Sequence, residues 1–266
     1  MVQGSQGCLY QQELHEVSIM NLRFGKKPPI RDYRTFLLGN YLKDDIPTPR
    51  ETFNSLDRVY KNIDPDDPTV LFPMMANDEI GDCTIVGMAH GDTVWSAMVG
   101  NKSIYPVELV KKIYFHLTGG DDTGLAMLTV LDYFKKTIVA GERIYAYMSI
   151  NPHNHIHVKQ ALNLFGGVFL GFQVQEKCLE EFRTKKPWQP GKLMNAGHAV
   201  FATGYDKNVL TLLTWGNTQT GTWDWWDQCV DEAYVVLPPE SLLPEFLPGF
   251  NFNQLREDLV TVSEWI

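Results

Sequence analysis

The chain has 266 residues, of which 44% are hydrophobic and 21% charged, with a formal net charge of −9. That size and composition suit a soluble globular protein with a sizeable core. The acidic balance argues against nucleic acid as a partner, and no apolar run approaches the length of a membrane span. The N-terminus from Met1 to Glu16 is polar and lacks the apolar stretch of a secretory signal, so a cytoplasmic location is expected.

Four cysteines, Cys8, Cys83, Cys178 and Cys229, show neither a paired CxxC motif nor metal-type spacing. They read as mostly free thiols of a reducing compartment. No metal or cofactor is expected.

Residues 1–68 read as an N-terminal arm and linker. Lys26-Lys27-Pro28-Pro29 forbids a helix, Pro47-Thr48-Pro49 marks a second break, and Tyr33 to Leu42 between them suits a short helix. The arm is expected to wrap over a core formed by the rest of the chain; a propeptide is the competing reading. Residues 69–142 read as a helical half. Asp82 or Thr84 can cap a helix whose apolar residues, from Ile85 to Met98, cover more than one face, which predicts a central, buried element. Gly100 with Asn101 ends it. Pro106 opens a second helix to about Leu117, and a third is expected from Leu125 to Thr137.

Residues 143–240 read as a β-rich half. Strands are expected at Arg143–Ile150, Val168–Val174, Ala199–Tyr205, Val209–Leu213 and Glu232–Leu237, with a helix from His157 to Phe165. Asp206-Lys207-Asn208 suits a hairpin turn, 183–196 a loop, and 241–266 a C-terminal tail rich in proline. Helices first and strands later imply an α+β class.

The chemistry with most support is nucleophilic. Cys83 stands in the first turn of the buried helix, where the helix dipole favours thiolate. His198 opens an apolar strand in the other half. A thiolate can attack a carbonyl carbon while an imidazolium stabilises it and then protonates the leaving group. Such a pair would sit in a cleft between the halves, with the Cys83 sulfur and the His198 ring facing each other.

Several blocks, in order, give this chain a resemblance to the papain-like cysteine peptidases. Asn77 to Cys83 resembles the family's Gln-to-Cys turn before a long helix. Gly119-Gly120 followed by Gly124-Leu125-Ala126-Met127 resembles its Gly-Gly-Leu segment. Val158-Lys159-Gln160-Ala161-Leu162 leading to Gly166-Gly167-Val168-Phe169-Leu170-Gly171-Phe172 resembles its helix-then-strand block. Gly197-His198-Ala199-Val200 with Gly204-Tyr205 resembles its histidine strand, and Thr214-Trp215-Gly216 its Ser-Trp-Gly turn. The resemblance covers about residues 70–237 and implies a papain-like fold, residues 69–240 forming one unit with the cleft between its halves.

It also implies roles. Cys83 would be the nucleophile and His198 the acid/base of amide, probably peptide, hydrolysis through an acyl-thioester. Asn77, one methylene shorter than the family's glutamine, would join the Cys83 backbone N–H in an oxyanion hole. Trp215 would shield the histidine. The family's histidine-orienting Asn is Leu213 here; Thr214, one residue on, or Asn217 or Asp206 through space, are the substitutes available. Asp82 directly precedes the nucleophile; its carboxylate would raise the thiol pKa if it pointed inward and be harmless as an outward cap. The implied partner is a peptide or protein substrate.

Two rival readings come from different classes. One is a structural or interaction protein that kept the fold and lost turnover, favoured by Leu213 and Asp82. The long arm and the prolines Pro238, Pro239, Pro244 and Pro248 suit assembly into an oligomer or a larger particle such as a virion, and an arm across the cleft would favour it. The other is Cys/His acyl transfer.

Other candidates have plainer explanations. His153, His155 and His157 would share one face of a strand as a metal site, but a polar loop entering a helix is the simpler reading. His90 reads as a satisfied core histidine. Trp223, Trp225 and Trp226 read as a loop packed on a core more than as a carbohydrate or peptide site. Asp64 to Asp67 and Asp121-Asp122 read as solvated turns.

Overall fold

The computed structural model describes residues 22–64, 66–238 and 247–263. The N-terminal stretch to Glu16 with Cys8, the linker proline Pro65, and the tail prolines Pro239 and Pro244 lie outside the described residues.

The central helix is α2, Cys83–Met98, which follows the short α1, Leu56–Lys61. It is apolar around its circumference and buried accordingly. Gly87 and Gly91, one turn apart, let it lie against the sheet: a Cβ on either would come within 2.8 Å of the Phe169 or Phe201 ring. α3, Val107–Thr118, starts directly after Pro106, and α4 is Met127–Lys136. α4 begins two residues later than expected, because Leu125 is held extended by contacts to another segment.

Among the described residues the strands form one seven-stranded antiparallel sheet. They are β1 Phe53–Asn54, β2 Ala146–Ile150, β3 Val168–Gln175, β4 Leu193–Tyr205, β5 Val209–Thr214, β6 Asn217–Thr222 and β7 Val230–Leu237. The order is β2-β7-β3-β4-β5-β6, with β1 also on β4. Period-2 alternation sends Ala199 and Phe201 of β4 into the core shared with α1–α4. Val200 and Ala202 enter a second core, which holds Trp188, Trp215, Trp225 and Trp226. The α+β class is as expected.

Several elements differ from expectation. β4 starts at Leu193, inside the expected loop, because its first residues pair with the end of β3. Of the helix expected over Tyr33–Leu42, only a 3-10 turn at Leu38–Tyr41 forms. α5, His155–Phe165, starts two residues early on Asn154, whose side chain accepts from the His157 N–H. The histidines therefore do not alternate on a strand, and His155 pairs with Asp227 at 2.6 Å. α6, Cys178–Arg183, and β6 are unanticipated. The tryptophan cluster is not a loop but the helix α7, Trp223–Cys229, capped by Thr222, with Trp225 and Trp226 fully buried. The expected tail contains α8, Phe252–Ser263, tied back by the Tyr41 hydroxyl, which donates to Asp258 at 2.8 Å.

Candidate active site

α2 begins at Cys83 because a run of turns ends there. Met75 and Ala76 both take positive φ, at 55° and 71°, and Asn77 N–H donates to the Met74 carbonyl. Gly81 N–H donates to the Asp122 carboxylate at 2.9 Å, which also accepts from the Tyr114 hydroxyl at 2.5 Å. Asp122 thus ties this turn to the end of α3, more than the solvated turn expected of it. Neither Asp82 nor Thr84 caps the helix with its side chain. Asp82 is instead fully buried, and the Asn77 side-chain amide donates to its Oδ1 at 3.0 Å. Burial pushes its carboxyl up to about 8, against the lowering effect of the Asn77 bond.

The Cys83 thiol is wholly buried, and burial pushes it up to about 12. Two backbone N–H groups aimed at the sulfur oppose that effect, from Ala199 on β4 and from Gly25 on the arm. The strand that bears His198 therefore lies beside the Cys83 thiol, while the His198 ring itself makes no hydrogen bond to that thiol, unlike the facing pair expected.

His198 is also buried, and burial holds its imidazole down to about 3. Its Nε2 is hydrogen-bonded to the Thr214 hydroxyl at 2.8 Å, and Nδ1 finds no partner among the described residues. Trp215 stacks on the ring with centroids 4.3 Å apart and planes 19° from parallel. The two-residue turn Trp215-Gly216 presents this pair, joining β5 to β6 with φ values of 45° and 69°. That is the primed hairpin geometry, which a tryptophan adopts at a cost in strain. Leu213 faces the helical core, so strand alternation turns Thr214 toward His198. Asn217 is exposed, and Asp206 sits in the β4–β5 turn accepting from Asn208 and Val209 N–H, so neither bonds His198.

The arm crosses this site. Phe24 meets His198 and Trp215 edge-on, at 5.8 and 5.9 Å between centroids. Gly25 lies against Gly81 so closely that a Cβ there would fall 1.7 Å from the Gly81 carbonyl oxygen. Lys26 N–H donates to the Gly197 carbonyl at 3.0 Å, and Leu125 N–H donates to the Gly25 carbonyl at 2.8 Å. Lys27 N–H returns to the Leu125 carbonyl at 3.0 Å, so Lys26 pairs in parallel with Leu125. One extended segment thus bonds a β4 residue on one side and a residue of the helical half on the other.

Comparison with solved structures decides the architecture. Xylellain, a cysteine protease from Xylella fastidiosa, superposes with a TM-score of 0.60 at 16% identity, over 80% of this chain and 95% of that one. The fold is papain-like. A papain-like match also comes from the cysteine protease and lectin-like domains of Cwp84, a surface layer associated protein of Clostridium difficile, with a TM-score of 0.54 at 13% identity over 83% of this chain and 57% of that one. Procathepsin B S9 from Trypanosoma congolense matches at 0.51 with 13% identity, over 81% of this chain and 86% of that one. No family model and no curated protein sequence matches the chain. At these identities the likeness is one of fold.

His90 is the core histidine expected: buried on α2, it is hydrogen-bonded through Nε2 to the Pro73 carbonyl at 3.0 Å. Cys83, Cys178 and Cys229 are free thiols. Among the described residues no cluster of His, Cys, Asp or Glu gathers as metal ligands, and no helix is long and apolar enough to cross a membrane. Phe24, Gly25 and Lys26 carry no sequence motif and lie about sixty residues before Cys83, so nothing in the sequence marks them as part of the site.

Proposed function

We propose that this papain-like chain is a cysteine peptidase whose cleft is filled by its own N-terminal arm. Cys83 is the nucleophile, and His198 takes its proton through Nδ1, the ring nitrogen that Thr214 leaves free. Thr214 fixes the ring through Nε2 and Trp215 covers it from water. The thiolate attacks a peptide carbonyl carbon, and the oxyanion is met by the Cys83 backbone N–H with the Asn77 amide. Collapse breaks the C–N bond, the imidazolium protonates the departing amine, and the acyl-thioester is then hydrolysed by water.

The observation that carries this reading is the hydrogen-bonded and stacked His198–Thr214–Trp215 unit, set on the strand whose next N–H points at the Cys83 sulfur. It supplies the orienting group that Leu213 lacks. The arm runs through the cleft from Phe24, at the His198 ring, to Lys26, whose N–H meets the Gly197 carbonyl.

The buried Asp82 favours a second reading, a papain-like scaffold without turnover, because it holds the Asn77 amide that would serve the oxyanion. An arm across the cleft is what the scaffold reading expected, so the test must displace it. Gly25→Ala cannot keep the arm in place, since the new Cβ would meet backbone at Gly81. In that full-length variant a peptidyl chloromethyl ketone should alkylate Cys83 at least about a hundredfold faster than in the native chain. Adding Cys83→Ala or His198→Ala should abolish the gain. Slow labelling, shared equally among the cysteines, would establish the scaffold reading instead.

A further inference from the structure

The turn that delivers Cys83 is closed on itself by a side-chain bond. Asn77 opens it and Asp82 ends it, and the Asn77 Nδ2 donates to Asp82 Oδ1 at 3.0 Å. Both residues are buried. An amide nitrogen carries two hydrogens. Asp82 takes one, and among the described residues no acceptor meets the other. Asp82 Oδ2 in turn meets no donor among the described residues. The charges around this carboxyl do not hold it ionised. Asp78 on the same turn and Asp122 from the α3–α4 loop act with burial against a negative charge. Lys111 on α3 feels Asp82, but its ammonium is on Glu79 at 2.9 Å. Tyr114, also on α3, gives its hydroxyl to Asp122. On α2, a charge on Asp82 would raise the Cys83 thiol, which the arm's Lys26 opposes. A buried carboxyl with one donor and no cation in contact keeps its proton.

We propose that Asp82 is a positioning residue of the oxyanion site: its Oδ1 holds one N–H of the Asn77 amide, so that the nitrogen, and not the carbonyl oxygen, serves the tetrahedral oxygen formed on Cys83. The inference rests on the peptidase reading above and deepens it. The bond to Asp82 does not compete with the oxyanion, because the second N–H is left to donate. An amide that nothing holds presents either end by a half-turn of its last torsion, and the oxygen end would repel an oxyanion. The acceptor must also be neutral. A carboxylate beside Cys83 would oppose both the thiolate and the oxyanion, so the site weakens as pH rises through about 8.

The test uses the full-length chain carrying Gly25→Ala, which opens the cleft, with Asp82→Leu, Asp82→Asn, Asn77→Ala or the Asn77→Ala/Asp82→Leu pair added. Two thiol probes separate the oxyanion site from the thiol itself. With the aldehyde acetyl-Ala-Phe-glycinal, the Cys83 sulfur bonds the carbonyl carbon and the carbonyl π pair moves to oxygen, which takes the proton that the thiol gave to His198. Iodoacetamide loses iodide from its methylene carbon to the same sulfur and forms no such oxygen. Aldehyde affinity is read by mass spectrometry as protection of Cys83 from iodoacetamide. At pH 6.5, Asp82→Leu and Asn77→Ala should each weaken the aldehyde at least about tenfold, with the iodoacetamide rate changed less than about threefold. The pair should be no weaker than either substitution alone. Asp82→Asn keeps an acceptor oxygen and should restore the affinity lost in Asp82→Leu. At pH 9 the chain with native Asp82 should bind the aldehyde at least about tenfold more weakly than Asp82→Asn. If Asp82→Leu does not fold, that comparison decides alone. Additive losses, a loss shared by iodoacetamide, or one pH profile for native Asp82 and Asp82→Asn overturns the positioning role and leaves the peptidase reading standing. No protection by the aldehyde in any variant at either pH sinks the peptidase reading, and the positioning role with it.

Discussion

At the residue scale the decisive feature is Asp82. It is adjacent to Cys83, wholly buried, and bonded by the Asn77 amide. Its folded-state pKa of about 8 stands above the ordinary 3.8. The folded chain therefore holds the extra proton between those values, and Asp82's contribution to stability is full below about pH 4 and lost as pH rises toward 8. Asp82→Asn stays neutral throughout and should flatten this dependence. From pH 5 to pH 8.5 the native chain should lose roughly 4 kcal/mol relative to the variant in urea unfolding, about 1.4 kcal/mol for each pH unit below 8. An identical slope in both proteins would show that Asp82 is ionised when folded. The turn leading to Cys83 was legible in the sequence as a polar segment feeding a helix. That Asp82 points inward was not, because a cap and a buried acceptor have the same sequence signature.

At the element scale, the contact between α2 and the sheet sets where Cys83 stands relative to β4. It depends on Gly87 and Gly91, which bring the helix axis close to the Phe169 and Phe201 rings. Gly87→Val places branched carbons where the Phe169 ring already is, inside a close-packed core. The expected cost is about 1–3 kcal/mol, read as a lowered denaturation midpoint. A smaller effect would mean that the helix can slide. Periodicity identified α2 as buried and found β3, β4, β5 and β7, because long apolar runs have few alternatives. It missed β1, α1, α6, β6, α7 and α8. Asn217-Thr218-Gln219-Thr220-Gly221-Thr222 has almost no apolar residue, and β6 exists because β5 offers it a ladder. Trp223 to Cys229 is too short to show a helical period, and its helix is fixed by the Thr222 cap and two buried indoles.

At the scale of the whole molecule, burial of the site sets its ionic state. With the arm in place, burial drives the thiol up and the imidazole down, so Cys83 and His198 face neutral pH as thiol and neutral imidazole. Alkylation of Cys83 by iodoacetamide in the native chain should therefore be slow and rise only in alkaline solution, toward pH 12. Displacing the arm by Gly25→Ala rehydrates both groups, lowering the thiol and raising the imidazole, and alkylation should become measurable at mildly acidic pH. A shared profile in the two proteins would mean that the arm does not control the pair.

Local pattern was enough for the helical-then-β division and the buried helix bearing Cys83, and the order of the resembling blocks for the papain-like expectation and the candidacy of His198, Trp215 and Thr214. Long-range packing settled the rest. Strand alternation turned Thr214, and not Leu213, toward His198. The Asn77 amide went to Asp82. A short segment sixty residues away closed the cleft, with its lysine seated between Asp231 and Glu232. The physical reason is common to all three: each depends on which side of an element a residue faces and on what distant segment lies there, and neither is written in the residue's own neighbourhood.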